Sequence, residues 1–215
     1  VGSEMCIRDR VGDSLGMVVL GFPDTTHVTL DHMLHHVEAT ARGVKNALLV
    51  GDMPIHSYDT VEQAVQSAKK LFLAGADAVK LEGGAAQAGN IRAIVEAGIP
   101  VVGHIGLLPQ KVLEEGGYKI KGKSSAEEEA LVRDVEAVAE AGACAVVVEG
   151  VTPHAARQVT VHSSIPTLGI GSGSHTCDGD VVVIHDLVGA FPWFIPAFVK
   201  PRADVAGSMT AAVKE

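Results

Sequence analysis

Residues 61–84 read VEQAVQSAKKLFLAGADAVKLEGG, and their order decides the fold. From Val61 to Leu73 apolar residues recur at three- and four-residue steps, as on a helix with one buried face. Thr60 followed by Gln63 has the spacing of a capping box at its start. Ala74-Gly75-Ala76 then puts a glycine where a helix closes in a left-handed C-cap. The next run, Ala76–Leu81, is short and bounded by glycine and charge, as buried parallel strands are. It carries Lys80 and stops at Glu82.

Working outward, the same unit recurs. Ala47–Val50, Ile99–Val102, Ala143–Val148, Thr167–Ile170 and Val181–Ile184 are further short, β-branched-rich runs. Asp31–Arg42 and Glu127–Ala141 have helical periodicity, and Ser125 with Glu128 gives a second capping box. Gly98 and Gly142 again stand between a helix and a strand. This alternation predicts an α/β fold with a parallel sheet. Six runs and a stub at Val11 make seven strands, and one more upstream would make eight. A (β/α)8 TIM barrel is the first expectation and an open doubly wound sheet the second.

The first ten residues, VGSEMCIRDR, follow neither period. The string SEMCIRD resembles a translated sequencing-adaptor scar. Residues 1–10 are therefore read as non-native, with residues 11–215 forming one barrel domain whose first strand and helix are missing.

Composition narrows the class. The chain has 215 residues, 47% hydrophobic and 20% charged, which suits one globular domain of barrel size and excludes a disordered one. A formal net charge of -9 argues against binding a phosphate backbone. Cys6, Cys144 and Cys177 are isolated and odd in number, so neither a zinc site nor a disulfide framework is implied; a reducing, cytoplasmic setting fits. The most apolar stretch, Val181 to Val199, is broken by His185, Asp186 and two prolines, and no membrane span is expected. The sequence shows no signal-peptide pattern.

Polar residues fall at the ends of the expected strands: Asp13-Ser14 after the stub, then Asp52, Lys80 with Glu82, His104, Glu149, the Gly171-Ser172-Gly173 turn and His185-Asp186. Taken singly, an aspartate here reads as a helix cap, a lysine as half of an ion pair and a histidine as a hydrogen-bonded core residue. Their convergence on one rim reads as a functional site, because barrel enzymes keep their chemistry at the C-terminal ends of the strands. Two aspartates and a glutamate are donors for a hard divalent cation, and magnesium takes one or two carboxylates and completes its shell with water and substrate. Asp13 and Asp52 are candidate ligands, with Glu82 bound directly or through water. A 2-oxo acid chelated there would form a magnesium-stabilised enolate. Ser14 and Lys80 suit the substrate carboxylate, and Glu149, on another strand, is free to act as the base. The GIGSG loop (Gly169 to Gly173) does not match the dinucleotide fingerprint.

At this point the text resembles a known family. VGDSLGMVVLG (11–21), VTLDHMLHHVEATARG (28–43), GDMPIHSY (51–58) and AVKLEGG (78–84) are similar to segments of ketopantoate hydroxymethyltransferases. So are IPVVGHIGLLPQ (99–110), GGYKIKGK (116–123), VVVEGV (146–151), IPTLGIGSG (165–173) and CDGDVVVIHD (177–186), in family order from residue 11 to about Lys200. The resemblance implies a phosphoenolpyruvate-carboxylase-like barrel and a homo-oligomer, a decamer in bacterial members. It implies hydroxymethyl transfer from 5,10-methylenetetrahydrofolate to 3-methyl-2-oxobutanoate, giving 2-dehydropantoate in pantothenate biosynthesis. By this resemblance Asp13, Asp52 and Glu82 are the metal site; Ser14, Asp13, Asp52, Lys80 and His104 meet substrate; and Glu149 abstracts the proton. The role of His104 stays open.

The sequence departs from the family in several places. A Tyr-Asp motif on the first strand is absent, Gly-Ala-Gly is Gly-Ser-Gly, Cys-Asp-Gly-Gln ends in Asp180, Pro-Phe is Pro54-Ile55, and the C-terminal segment stops early. The last three touch the pocket edge and tail, and so folate affinity more than metal binding; the missing first strand is graver, because an open barrel exposes two sheet edges. Two rival readings are another magnesium-dependent 2-oxo acid lyase or mutase of the same barrel superfamily, and a non-catalytic truncated fragment.

Overall fold

A computed structural model describes residues 8–214 of the chain. In chain order these form β1 (Arg8–Val11), α1 (Leu15–Val18), α2 (Leu30–Gly43), β2 (Leu48–Asp52), α3 (Val61–Leu73), β3 (Ala78–Lys80) and α4 (Ala88–Glu96). Then come β4 (Val101–Gly106), α5 (Val112–Glu115), α6 (Ser125–Glu140), β5 (Ala145–Glu149), α7 (Pro153–His162), β6 (Thr167–Ile170), β7 (Gly179–Asp180), α8 (Ile184–Leu187) and α9 (Val205–Lys214). The seven strands pair in sequence order and every pair is parallel, giving the curled βα sheet of a TIM-type barrel.

The helices start where the side chains dictate. Thr60 Oγ1 accepts from the Gln63 amide, and Thr29 with His32 closes a reciprocal box at the head of α2. For α6 the cap lies one residue earlier than expected. Ser124 Oγ, not that of Ser125, accepts from the Glu127 amide, and the Glu127 carboxylate accepts from the Lys123 amide. Either serine of the pair has the right chemistry; Ser124 has the extended backbone a cap needs.

Two further departures concern the ends of the sheet. Residues 1–7, part of the stretch read as foreign, lie outside the described residues. Arg8–Val11 pair in register with Leu48–Gly51, so the first strand starts before the apolar text does. A parallel ladder uses backbone groups, which any side chain supplies. At the other end, the run Val181–Ile184 is not a strand. The strand is Gly179–Asp180, set by Asp178, whose carboxylate accepts from the Thr167 amide and hydroxyl. Val182 and Ile184 are exposed, so this apolar run lacks the two-sided burial that its composition suggested. His185 and Asp186 fall on α8 instead of a strand end.

Period-two alternation divides each strand between two environments. Leu49, Val79, Leu81, Val101, Ile105, Val146 and Val148 face outward and pack with Val37, Leu71, Ile91, Ile94, Val135 and Val159 of the helices. Val50, Ala78, Val102, Ala145, Val147 and Ile170 form a smaller cluster on the inner face. The next inward positions along the same strands are Asp52, Lys80, His104 and Glu149. The barrel floor is thus apolar and its C-terminal rim charged.

Candidate active site

Lys80 organises the rim. Its ammonium is fully buried at the end of β3 and lies 3.0 Å from Asp52 Oδ2, 3.4 Å from Glu82 Oε1 and 3.3 Å from His104 Nδ1. Burial pulls its pKa down, but Asp52, Glu82 and Asp13 outweigh that and hold it above the ordinary lysine value. Asp52, at the end of β2, lies 3.0 Å from the Lys80 ammonium and accepts from the Asp13 amide at 3.2 Å and from both Nε (3.0 Å) and Nη2 (2.9 Å) of Arg10. Burial would raise this carboxyl; Arg10 and Lys80 bring it below the usual range.

Asp13 is buried just after β1, and its carboxylate has a single side-chain donor, the Gln110 amide at 2.7 Å. Burial, then the neighbouring carboxylates of Glu82 and Asp52, push it up to about 7 despite Lys80. Glu82 accepts from the Gln110 backbone amide at 3.0 Å. Burial raises its carboxyl and Lys80 and His104 lower it further, leaving it depressed. Gln110 therefore bridges Asp13 and Glu82, and Tyr58 donates to its Oε1. Sequence reasoning did not single out Gln110 or Tyr58. Both lie in the quoted family segments, but neither ends a strand, which was the signal used.

His104, on the inner face of β4, joins the two sides of the site. Nδ1 lies 3.5 Å from Glu82, and Nε2 lies 3.2 Å from Glu149 Oε2. Burial and Lys80 lower its pKa, and the two glutamates reverse this to leave it raised. The Glu149 contact is an ion-pair distance without hydrogen-bond alignment, so Nε2 is a buried nitrogen with no hydrogen-bond partner among the described residues. Glu149, at the end of β5, is the partly open member: its side chain is 19% exposed. Gly106 makes room for it. A Cβ at this glycine, whose φ is +94°, would lie 2.3 Å from the Glu149 carbonyl oxygen. Ser14 heads α1 without capping it, so its hydroxyl is not committed to the helix end. Ser172 is a brace: it donates to the Val148 carbonyl at 2.7 Å and fixes the end of β5. The Gly-Ser-Gly turn is thereby tied to the strand.

The structure therefore brings Asp13, Asp52, Lys80, Glu82, His104 and Glu149 to one rim, as expected, and adds Arg10, Gln110 and Tyr58. As the side chains stand, no three of His, Cys, Asp and Glu among the described residues are arranged to hold a metal ion. The donor set nevertheless fits a hard cation. Three buried carboxylates converge, and Asp13 is raised first by burial and then by the neighbouring Glu82 and Asp52 carboxylates.

Fold and rim together define an α/β-barrel enzyme. The backbone is similar to a phosphonomutase-type structure from Burkholderia cenocepacia J2315, with a TM-score of 0.67 at 16% identity over 98% of this chain and 86% of that one. It is similar also to 2,3-dimethylmalate lyase of the PEP mutase/isocitrate lyase superfamily, with a TM-score of 0.60 at 18% identity over 99% of this chain and 74% of that one. At such identities the likeness concerns the fold alone. Sequence supplies the rest. The family model described as ketopantoate hydroxymethyltransferase matches residues 3–215. The 3-methyl-2-oxobutanoate hydroxymethyltransferase of Cenarchaeum symbiosum is 48% identical over 99% of this chain and 80% of its own length. That of Moorella thermoacetica is 50% identical over 95% and 77%. The chain belongs to the ketopantoate hydroxymethyltransferase family, a family of hydroxymethyl-transferring enzymes. No helix among the described residues is long and apolar enough to cross a membrane.

Proposed function

We propose that this chain adds a hydroxymethyl group to C3 of 3-methyl-2-oxobutanoate, drawing the one-carbon unit from 5,10-methylenetetrahydrofolate and giving 2-dehydropantoate. The observation that carries this reading is the division of the rim: a buried cluster of Asp13, Asp52, Lys80 and Glu82 on one side, and the partly open carboxylate of Glu149 on the other. The first suits an anionic 2-oxo acid with a cation; the second suits a base that must reach a carbon-bound proton.

Asp13 and Asp52 would hold a magnesium ion, with Glu82 beside them, and the ion would supply Lewis acidity to the keto oxygen. Lys80 balances the carboxylates and, with the Ser14 hydroxyl, meets the substrate carboxylate. Glu149 takes the proton from C3, and the electron pair left there forms the bond to the one-carbon unit of the donor. Both carbon–nitrogen bonds of the folate's methylene bridge break in the overall transfer; water provides the hydroxyl group, and its second proton together with the proton taken from C3 ends on the two folate nitrogens. His104 Nε2, 3.2 Å from Glu149 Oε2, helps hold that carboxylate in place. By family likeness the enzyme works as a cytoplasmic homo-oligomer.

The first test is proton NMR of 3-methyl-2-oxobutanoate in deuterated buffer with folded protein. Magnesium-dependent loss of the C3 proton signal, followed by product only when methylenetetrahydrofolate is added, is the expected result. Exchange without any use of the folate would favour a superfamily lyase or mutase. No exchange from a folded, magnesium-bound sample would refute the proposal.

A further inference from the structure

The Arg10 guanidinium occupies the bonding capacity that a cation at Asp52 would need. It sits on the inner face of β1, opposite Val50 in register, and grips both oxygens of Asp52 in a fork. Oδ2 also receives the Lys80 ammonium at 3.0 Å and the Asp13 amide at 3.2 Å. Each carboxylate oxygen has two lone pairs. Oδ2 is saturated by these contacts, and Oδ1 has Arg10 Nε as its one donor among the described residues, so a metal ion at Oδ1 would have to sit beside the fixed positive charge of the guanidinium.

The two cations on Asp52 are not equally removable. Lys80 is fully buried and is also held by Glu82 and His104. Arg10 has a 21% exposed side chain, and among the described residues Asp52 is its only hydrogen-bond partner. Swinging the guanidinium away therefore breaks one pair, whereas withdrawing Lys80 breaks three contacts. The positive charge at this rim is unevenly placed: Asp52 has two side-chain cations within reach and Asp13 has one amide.

We infer that Arg10, which falls in the stretch read above as non-native, competes with the divalent cation: its guanidinium and the metal exclude each other at Asp52, and Arg10 sets the metal affinity of the chain as it stands. This rests on the proposed metal role of Asp52, and the experiment separates the two. Binding of Mn2+ as a magnesium substitute is read from the loss of its free electron paramagnetic resonance signal. The samples are the unaltered chain, Arg10→Leu, and Arg10→Leu combined with Asp52→Ala, each checked for folding by circular dichroism. The expected result is at least ~tenfold tighter binding in Arg10→Leu, abolished by the added Asp52→Ala. Equal binding in the unaltered chain and Arg10→Leu, lost with Asp52→Ala, would overturn the role of Arg10 and leave the site standing. Binding insensitive to Asp52→Ala, or absent from every sample, would overturn both.

Should Arg10→Leu fold poorly, Arg10→Ala with low-millimolar guanidinium chloride makes the same test. Free guanidinium is expected to displace Mn2+ from Arg10→Ala and to leave the unaltered chain unaffected, with urea inert in both. Absence of that competition would overturn the inference.

Discussion

The two faces of one sheet carry opposite chemistry on alternate residues of the same strands. Outward residues such as Val79, Val101 and Val146 are fully buried against helices. Inward residues of the same strands run from Ala78, Val102 and Val147 to Lys80, His104 and Glu149. The outer face stabilises the fold through apolar burial, about 1.5–3 kcal/mol for a fully buried aliphatic side chain. The inner rim spends part of that stability to keep charges dry and close. The contrast teaches that substitutions on the two faces should fail in different ways: the outer face by unfolding, the rim by losing chemistry or titrating abnormally.

The sharpest separation is expected at Glu149. Glu149→Gln should lower carbon–proton exchange by about 10³-fold, within the range for a lost general base, while urea denaturation and magnesium binding change little. Unchanged exchange would remove Glu149 from the base role. Lys80→Met comes next. It leaves Asp52, Glu82 and Asp13 short of their shared cation and should cost about 3–5 kcal/mol in urea denaturation. A loss below about 1 kcal/mol would mean that Arg10 and water compensate, and would blur the division between the faces.

On the outer side, Leu71→Ala opens a cavity under α3 and should cost about 2–4 kcal/mol, with the exchange rate of the remaining folded protein unaltered. A large drop in that rate would show that outer packing also sets rim geometry. The smallest effect is pH-dependent. Asp13 in the folded protein binds its proton up to about 7, against an ordinary aspartate value of 3.8. The folded state therefore holds more protons between these values, and metal-free stability should fall as pH rises from about 4 to 7. Asp13→Asn should flatten that segment and raise metal-free stability above pH 7. A profile identical to that of the unaltered chain would show Asp13 to be already neutralised. Magnesium should restore the loss in the unaltered chain alone.

Much of this was legible in the residues. The helix Val61–Leu73 has the bounds its periodicity indicated, and Thr167–Ile170 is a strand as read. The charged strand ends pointed to the rim because parallel strands of a barrel all end on the same side. Val181–Ile184 misled because apolar β-branched text cannot distinguish a buried strand from an exposed loop at a sheet margin. The cap at Ser124 was hidden for a related reason: adjacent serines are equivalent until the backbone selects one.

Sequence by itself determined the alternation of strand and helix, the gathering of Asp13, Asp52, Lys80, Glu82, His104 and Glu149 at the strand ends, and the family. These follow from periodicity, from strand-end position and from long matching segments. Only the tertiary structure decided which of these groups touch. Gln110 bridges two carboxylates from a loop that ends no strand, and Arg10 pairs with Asp52 across 42 positions of sequence. Such partnerships depend on strand register and on distances of a few ångströms, which spacing along a chain does not encode.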